Sequence, residues 1–409
     1  MSAYDVAVIG AGAAGMMNAA RLGRAGLRVV LIDHASKLAE KIRISGGGRC
    51  NFTNLDVSAR NFICTNPHFP KAALSAYTPQ DFLREIQAHG IAWHEKHRGQ
   101  LFCDTSSQAI IDWLRLQCDQ AQVDWRMGCT VLDVQKVAEG FLLGTESGPI
   151  ISGRLVVATG GMALPQVGAT DFGLKLARQF GLRIIEPRPA LVPLKFDSEQ
   201  WKGLTELAGV ALPVDLGVSS VFGGKQGVVR FAEDMLFTHR GLSGPGILQI
   251  SSYWRPGQPL RINLVPSVDL EQFLIDNKQQ TKQSLLAALG LHLPKRLAQY
   301  WAGELGTRRL AEMPDRQVRE LARQIAGWQI TPSGTEGYKK AEVMSGGVDT
   351  SELNQRSFES NRVPGLHFIG EVVDVTGWLG GYNFQWAWSC AVSCASAISS
   401  LSSSVSKQD

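Results

Sequence analysis

The sequence predicts an α/β fold in which helices wind around a mostly parallel sheet, with a second domain inserted between its strands. Three observations lead there. A short β-branched run, Tyr4 to Ile9, passes directly into Gly10-Ala11-Gly12-Ala13-Ala14-Gly15 and then into an apolar-striped helix. A second strand follows and ends on Asp33, 23 residues after Gly10. Two further strand-like runs, Leu155 to Val157 and Leu366 to Ile369, flank a long middle segment that has its own strands and then its own helices.

In the glycine turn each glycine has a separate task. Gly10 permits the tight turn, Gly12 lets backbone approach a pyrophosphate, and Gly15 lets the helix lie close to the strand. The helix, opened by Ala13 and Ala14 and predicted to run to about Ala25, buries Met17, Ala20 and Leu22 and stops at Gly26. Its N-terminal N–H groups and partial positive charge suit a diphosphate. Asp33, with His34 beside it, stands where a carboxylate accepts hydrogen bonds from ribose hydroxyls. An acid there repels a 2′-phosphate, so FAD or NAD is expected over NADP. A G-x-G-x-x-G alone is often a merely structural turn; strand, helix and acid at this spacing favour dinucleotide binding.

Composition narrows the class. A chain of 409 residues, 44% hydrophobic and 19% charged, is an ordinary globular protein of about two or three domains. Lys and Arg number 41 against 37 Asp and Glu, and the resulting +4 is spread without a basic block, so no nucleic-acid partner is expected. The N-terminus enters a strand through Asp5 with no signal-peptide pattern, and no apolar run reaches membrane-spanning length. A cytoplasmic protein without membrane contact is expected. The seven cysteines form no C-x-x-C and no zinc spacing, which implies no metal and disfavours dithiol–disulfide flavin chemistry. Six of them read as packing residues; Cys50 alone lies in a motif.

After Asp33 comes Lys41, then Ser45-Gly46-Gly47-Gly48-Arg49-Cys50-Asn51-Phe52-Thr53-Asn54. Three glycines free to adopt φ > 0, with many polar groups beside them, make a nest for a polar cofactor; a flexible surface loop is the plainer alternative. A helix capped by Thr78 with Pro79 at its first position is closed by Gly90. Two short strands, 91–94 and 100–103, are joined by His97-Arg98-Gly99; His94, His97 and Arg98 are candidates for substrate contact, with solvated hairpin residues the commoner explanation. A helix from Ser107 to Ala121 buries Ile110, Ile111, Leu114 and Cys118. Residues 123–151 read as a small antiparallel meander. Arg188 to Leu194, with two prolines, reads as a domain boundary.

The fingerprint followed by Lys41 and the Ser-Gly-Gly-Gly-Arg-Cys-Asn-Phe-Thr-Asn segment resembles the YhiN/HI0933-like family of flavoproteins, within the two-dinucleotide-binding-domain group. The resemblance implies non-covalent FAD in a Rossmann-like domain of glutathione-reductase type, with the meander over the first sheet. It implies that residues Ser45 to Asn54 run beside the flavin and ribityl diphosphate, and that backbone near Thr130 and Val131 reaches the adenine. Thr159-Gly160-Gly161 resembles the segment that returns the chain to the FAD, whereas Pro165 to Gly173 matches its family stretch imperfectly. Gly370, Glu371 and Asp374 resemble the C-terminal FAD motif, whose acid accepts from ribityl hydroxyls. Gly380, Gly381, Tyr382, Asn383 and Gln385 follow, where a glycine pair opening a helix aims N–H groups at the flavin N1/O2 edge. Ala391 and Ala395 stand where the family commonly has glycine.

The expected organisation is a discontinuous FAD domain, 1–190 with 340–400, an inserted β-barrel-like and helical domain, 191–339, with strands about 205–266 and helices about 269–328, and a flexible tail, 401–409. The expected function is an FAD-dependent oxidoreductase that passes a hydride or electron pair to or from a small organic substrate, with NAD(P)H as a candidate donor. An amine, an alcohol or an activated carbon–carbon double bond all suit it, and no catalytic residue or oligomeric state is assigned. The alternative is a flavin-binding regulatory or redox-sensing module without turnover. Gly47→Val is expected to abolish FAD binding or strongly perturb the flavin spectrum, and Gly99→Val in the hairpin to do neither.

Overall fold

A computed structural model describes residues 3–222, 225–280 and 282–405. The chain packs as two compact units, residues 1–188 with 343–409 and residues 189–342.

The first unit opens as the glycine turn requires, with strand β1 (Ala3–Ile9), helix α1 (Ala13–Arg24) and strand β2 (Val29–Asp33). Its further elements include β3 (Asn51–Asn54), α2 (Pro79–Ala88), β4 (Trp93–Glu95), β5 (Gln100–Cys103), α3 (Gln108–Gln120), β6 (Asp124–Met127), β7 (Val131–Val137), β8 (Gly140–Thr145), β9 (Ile150–Val157), β10 (Leu366–Phe368) and α4 (Tyr382–Val405). Five strands run parallel in the order β6-β2-β1-β9-β10, with Val8 paired to both Leu31 and Val156. Helices cover such a sheet, so its central residues, Val6, Ala7, Val8, Leu31 and Val156, are fully buried on both faces.

Two sequence expectations change here. Residues 124–127 belong to the parallel sheet, where Met127 pairs with Asp33, because β6 is an edge strand whose half-exposure imitates a meander's alternation. The meander proper, β7, β8 and the start of β9, is antiparallel, with Val134 opposite Leu143 and Leu142 opposite Ile151. Since β9 serves both, the meander extends the first sheet and does not lie over it.

Helix α2 starts on a reciprocal cap: Asp81 N–H donates to Thr78 Oγ1 and Thr78 N–H donates to Asp81 Oδ2. Helix α4 packs on α1 through small residues, Ala391 and Ala395, and Asn18 Nδ2 donates to the Ala391 carbonyl at 2.9 Å. Its backbone stays helical to Val405, past the expected start of the tail; residues 406–409 lie outside the described residues.

The second unit carries a seven-stranded antiparallel sheet and several helices, among them Leu270–Gln280, Lys295–Ala302 and Asp315–Ala326. Its core strands are the long hairpin Ala211–Phe222 with Lys225–Phe237. The strands at the two ends of the sheet, Trp328–Ile330 and Gly334–Thr335, are separated by three residues in the chain. Such a link spans at most roughly 14 Å, whereas a flat seven-stranded sheet is about 29 Å across, so this sheet curls until its edges approach. Among the described residues, no helix is long and apolar enough to cross a membrane and no group of His, Cys, Asp and Glu could hold a metal.

Candidate functional site

The site is built on the first turn. Gly10 has φ +109°, and a Cβ there would lie 2.4 Å from the Ala158 carbonyl oxygen, so only glycine lets β1 leave the sheet beside β9. A Cβ on Gly15 would lie 1.8 Å from the Gly10 oxygen, which is how closely α1 packs on the strand. Around Gly12, in contrast, nothing lies within 4 Å of where a Cβ would be. Gly12 is the N-cap of α1, no side chain caps the helix, and its first turn carries no acid. The N–H groups opened by Ala13 and Ala14 therefore face open space with an uncompensated positive end, an anion site in waiting.

Asp33 borders this space. Its Oδ2 accepts the Ala11 N–H at 2.7 Å and its Oδ1 the Ala35 N–H at 2.8 Å, which fixes the carboxylate and leaves lone pairs for hydroxyl donors. His34 is half-exposed beside it, with Nδ1 3.5 Å from Asp33 Oδ1. Thr130 is close by, since the Cys129 N–H donates to the Asp33 carbonyl; its N–H donates to the Glu146 carboxylate and its carbonyl accepts the Glu146 N–H. The Val131 side chain is buried.

The glycine loop continues the open strip. Gly46, Gly47 and Gly48 all have positive φ, at +57°, +66° and +85°, and Gly47 and Gly48 have nothing within 4 Å of a Cβ position. Ser45 accepts the Cys50 N–H through its carbonyl. Arg49 is exposed, and its guanidinium pairs with no side chain among the described residues. Cys50 is fully buried, and burial pushes its thiol far above the ordinary range. Its side chain therefore packs inside, and only its backbone borders the strip.

Several polar side chains that read as ligand donors in the sequence turn inward. Asn51, with its amide oriented by the hydrogen-bond network, donates to Leu101 O and Thr53 O and accepts from Gly381 N–H. Thr53 Oγ1 donates to Gln385 Oε1 at 2.6 Å, and Gln385 Nε2 donates to Tyr77 O and Ser389 Oγ. Asn54 Nδ2 donates to the carbonyls of Arg98 and Gly380. Asn383 accepts from Gly377 N–H and donates to Gly377 O, and Tyr382 is buried against Phe62. These residues brace one glycine pair against β3: a Cβ on Gly381 would lie 2.2 Å from Thr53 O.

The third side of the strip is the return of the chain. Thr159 Oγ1 is buried with no hydrogen-bond partner among the described residues. Gly160 has φ +71° and only Glu371 Oε2, at 3.7 Å, near a Cβ position. Glu371 is the acid that reaches this point: its Oε2 takes Lys41 Nζ at 2.7 Å and Gly161 N–H at 3.3 Å, and its Oε1 takes Met344 N–H at 2.8 Å. Gly370 lies against Ala14, where a Cβ would be 3.1 Å from the alanine methyl. Asp374, three residues on, is 4% exposed and accepts Thr65 N–H, and burial holds its carboxyl above the usual range. It ties a loop, while Glu371 borders the opening.

An uncapped helix end, a fixed carboxylate, three left-handed glycines and an unpaired arginine thus belong to segments that the Gly370–Ala14 approach and the Lys41–Glu371–Gly161 contacts tie together, while the Thr159 hydroxyl is buried toward Gly173. The donor set suits an extended ligand with an anionic centre and hydroxyl-bearing flanks. Sequence reasoning missed the inward bracing, because it depends on residues paired across more than 300 positions, such as Thr53 with Gln385.

Comparison with known proteins agrees with this architecture. The chain is 49% identical over 407 residues to a protein of Escherichia coli named ribosomal RNA dihydrouridine synthase, covering 99% of this chain and 100% of that protein. It is 28% identical over 403 residues to the 3-dehydro-bile acid delta(4,6)-reductase of Clostridium scindens, covering 94% and 96%. Among solved structures, a quinol–fumarate reductase with menaquinol matches in fold at a TM-score of 0.51 and 14% identity, covering 99% of this chain and 72% of that one. The model of the HI0933-like protein Rossmann domain matches residues 4–397, and this chain therefore belongs to that family.

Proposed function

We propose that this protein is an FAD-dependent reductase that saturates an activated carbon–carbon double bond, and that its substrate is a uridine of ribosomal RNA. The observation that carries the cofactor reading is the combination of an uncapped α1 N-terminus at Gly12, the fixed carboxylate of Asp33 and the open left-handed backbone of Gly47 and Gly48, which supplies the anion site and hydroxyl acceptor an FAD needs. On this reading the α1 N-terminus binds the diphosphate and Asp33 the adenosine ribose. Backbone near Thr130 and Val131 lies at the adenine. Lys41, the Ser45–Asn51 loop, Gly161, Gly370 and Glu371 lie along the ribityl and flavin end. Gly380 and Gly381 present backbone to the pyrimidine edge, braced by Asn51, Thr53, Asn54, Asn383 and Gln385. When bound, the flavin supplies two-electron chemistry, with a nicotinamide dinucleotide as the electron source.

The substrate reading draws on the names of two full-length relatives. Dihydrouridine is uridine with its ring double bond saturated, and a delta(4,6)-reductase also acts on double bonds. Both describe reduction of an alkene activated by a carbonyl, one of the three substrate classes compatible with the sequence. An RNA partner departs from the expectation drawn from evenly spread charge. Modification of a single base needs a site for that base and not the basic block of a general nucleic-acid binder.

The test is direct. The purified protein is reduced anaerobically with NADPH or NADH and mixed with unmodified ribosomal RNA. Dihydrouridine in the digested RNA supports the reading; bleaching of the flavin with no new nucleoside rejects the substrate, and no reduction by either nucleotide rejects the electron source.

A further inference from the structure

Beside the glycine loop, the small sheet of β3, β5 and β4 has a face to which the functional reading gives no role. Asn51 pairs with Phe102, and Phe102 with His94. Residues paired across strands share a face, so His94, Phe102 and, two positions along β5, Gln100 stand on one side of it. Leu101 and Cys103, on the other side, are fully buried. The polar face touches both glycine segments of the site. A Cβ on Gly46 would lie 2.8 Å from Phe102 Cε1, and a Cβ on Gly380 would lie 2.9 Å from Gln100 Nε2.

On this face the His94 ring stacks on Phe102, with centroids 6.1 Å apart and planes at 17°. Its Nδ1 lies 2.7 Å from Asp104 Oδ1. An ionised carboxylate only accepts, so Nδ1 carries the hydrogen and Nε2 is the outward nitrogen. The His94 and Asp104 side chains are 40% and 43% exposed, which leaves Nε2 open to a ligand.

Building on the reductase reading, we propose that His94, oriented by Asp104, is the acid that completes alkene reduction. A hydride equivalent, which carries two electrons from the nicotinamide reductant, adds to the carbon β to the substrate carbonyl. The π electron pair moves to the α carbon, where a new C–H bond forms with the proton that leaves His94 Nε2. The imidazole, now neutral, takes a proton back from water. Asp104 is a positioning residue: it holds the ring by Nδ1 and so keeps Nε2 directed outward. His94 meets the requirement for general acid work, an open nitrogen on a ring fixed at its other end, on a face that abuts the two glycine segments assigned to the flavin.

The experiment uses the full protein with its bound cofactor, reduced anaerobically by NADPH and mixed with an unmodified transcript of ribosomal RNA. Dihydrouridine formation is followed by mass spectrometry, and the NADPH reduction step is timed separately without RNA. H94Q is expected to slow product formation by roughly 10²- to 10⁴-fold while NADPH reduction, cofactor content and melting temperature stay at parent values. Added imidazole should partly restore H94A, and D104E should recover more activity than D104N. Product formation by H94Q at the parent rate overturns the proposal, as does an equal loss in the NADPH step. A parent protein inert toward the transcript fails the substrate reading itself and takes this proposal with it, an outcome distinct from the other two.

Discussion

Lys41 and Glu371 stand 330 residues apart in the chain, yet Lys41 Nζ lies 2.7 Å from Glu371 Oε2. The pair closes the strip between the segment that leaves the first βαβ unit and the segment that returns to it. Glu371 also accepts the N–H groups of Gly161 and Met344, so one carboxylate holds two pieces of backbone and one side chain. The two side chains are 31% and 18% exposed, which leaves the ion pair screened but the N–H groups poorly solvated.

Removal of the two partners should therefore have unequal effects. Lys41→Met is expected to cost about 1 kcal/mol, the usual scale for a partly exposed pair. Glu371→Ala leaves two backbone donors without an acceptor and is expected to cost roughly 2 to 4 kcal/mol. Denaturant melts of the two variants check this; equal losses would mean that the ion pair, and not the backbone contacts, carries the stabilisation.

Asp33 offers a second separation, between cofactor and fold. Recovered cofactor should be FAD and not FMN, because the turn and the acid serve the adenosine half. Asp33→Ala should weaken FAD binding by roughly 10- to 100-fold, the equivalent of about 1.5 to 3 kcal/mol. It should also destabilise the ligand-free protein, since the Ala11 N–H loses its acceptor. Titration calorimetry and melting of the stripped protein read the two effects. FAD affinity at the parent level would reduce Asp33 to a purely structural cap.

The opening unit was legible because each of its signals is local. Gly10, Gly12, Gly15 and Asp33 lie within one βαβ unit, and sterics at two of the glycines dictate their identity. The loop at Gly46 to Gly48 was legible for the same reason. Asn51, Thr53, Asn54 and Gln385 looked like ligand donors, and that is where local reading stops. A polar side chain looks the same in sequence whether it faces a ligand or ties two buried backbones, and here long-range pairing decides. For His94 the sequence left substrate contact and a solvated hairpin as alternatives, because its neighbours, Gly46 through Phe102 and Gly380 through Gln100, come from three separate stretches of chain. Gly99, where valine is expected to leave FAD binding intact, has a crowded neighbour of its own: a Cβ there would lie 2.6 Å from Asn54 Oδ1, and Asn54 holds the Gly380 carbonyl.

His367 on β10 predicts a pH dependence. It is fully buried, its Nδ1 faces the Ser357 carbonyl at 2.9 Å, and its Nε2 has no partner among the described residues. Burial holds its pKa below the ordinary value of 6.5, against a smaller upward pull from the Ser357 carbonyl and Glu359. The unfolded chain therefore takes up the proton first as pH falls. The stability that depends on neutral His367 is fully present above about pH 6.5 and is lost progressively below it. Between pH 7.5 and 5.5 the parent should lose more stability than His367→Gln, whose amide does not titrate. Parallel pH profiles would show that the folded protein accommodates the imidazolium.

The glycine loop permits a test in which strain and ligand contact are separated. Gly47 has φ +66° with nothing within 4 Å of a Cβ position, and Gly90, which closes α2, has φ +69° and the same empty surroundings. Valine at either position meets the same backbone penalty, roughly 1 to 2 kcal/mol for an L-residue in the left-handed region, and no steric clash with the protein. The two stripped variants should therefore melt at similar temperatures, both somewhat below the parent. They should differ once FAD is added. Gly47 lies in the loop assigned to the flavin, so its isopropyl group would occupy space the cofactor needs, whereas the turn at Gly90 is hydrogen-bonded within the end of α2, with Gly90 N–H on Gln87 O and Ile91 N–H on Ile86 O. Gly47→Val is expected to lose FAD or shift the flavin absorption band, and Gly90→Val to bind FAD with the parent spectrum. If Gly47→Val also bound FAD with an unaltered band, the loop would be surface, and the flavin would have to lie elsewhere along the strip.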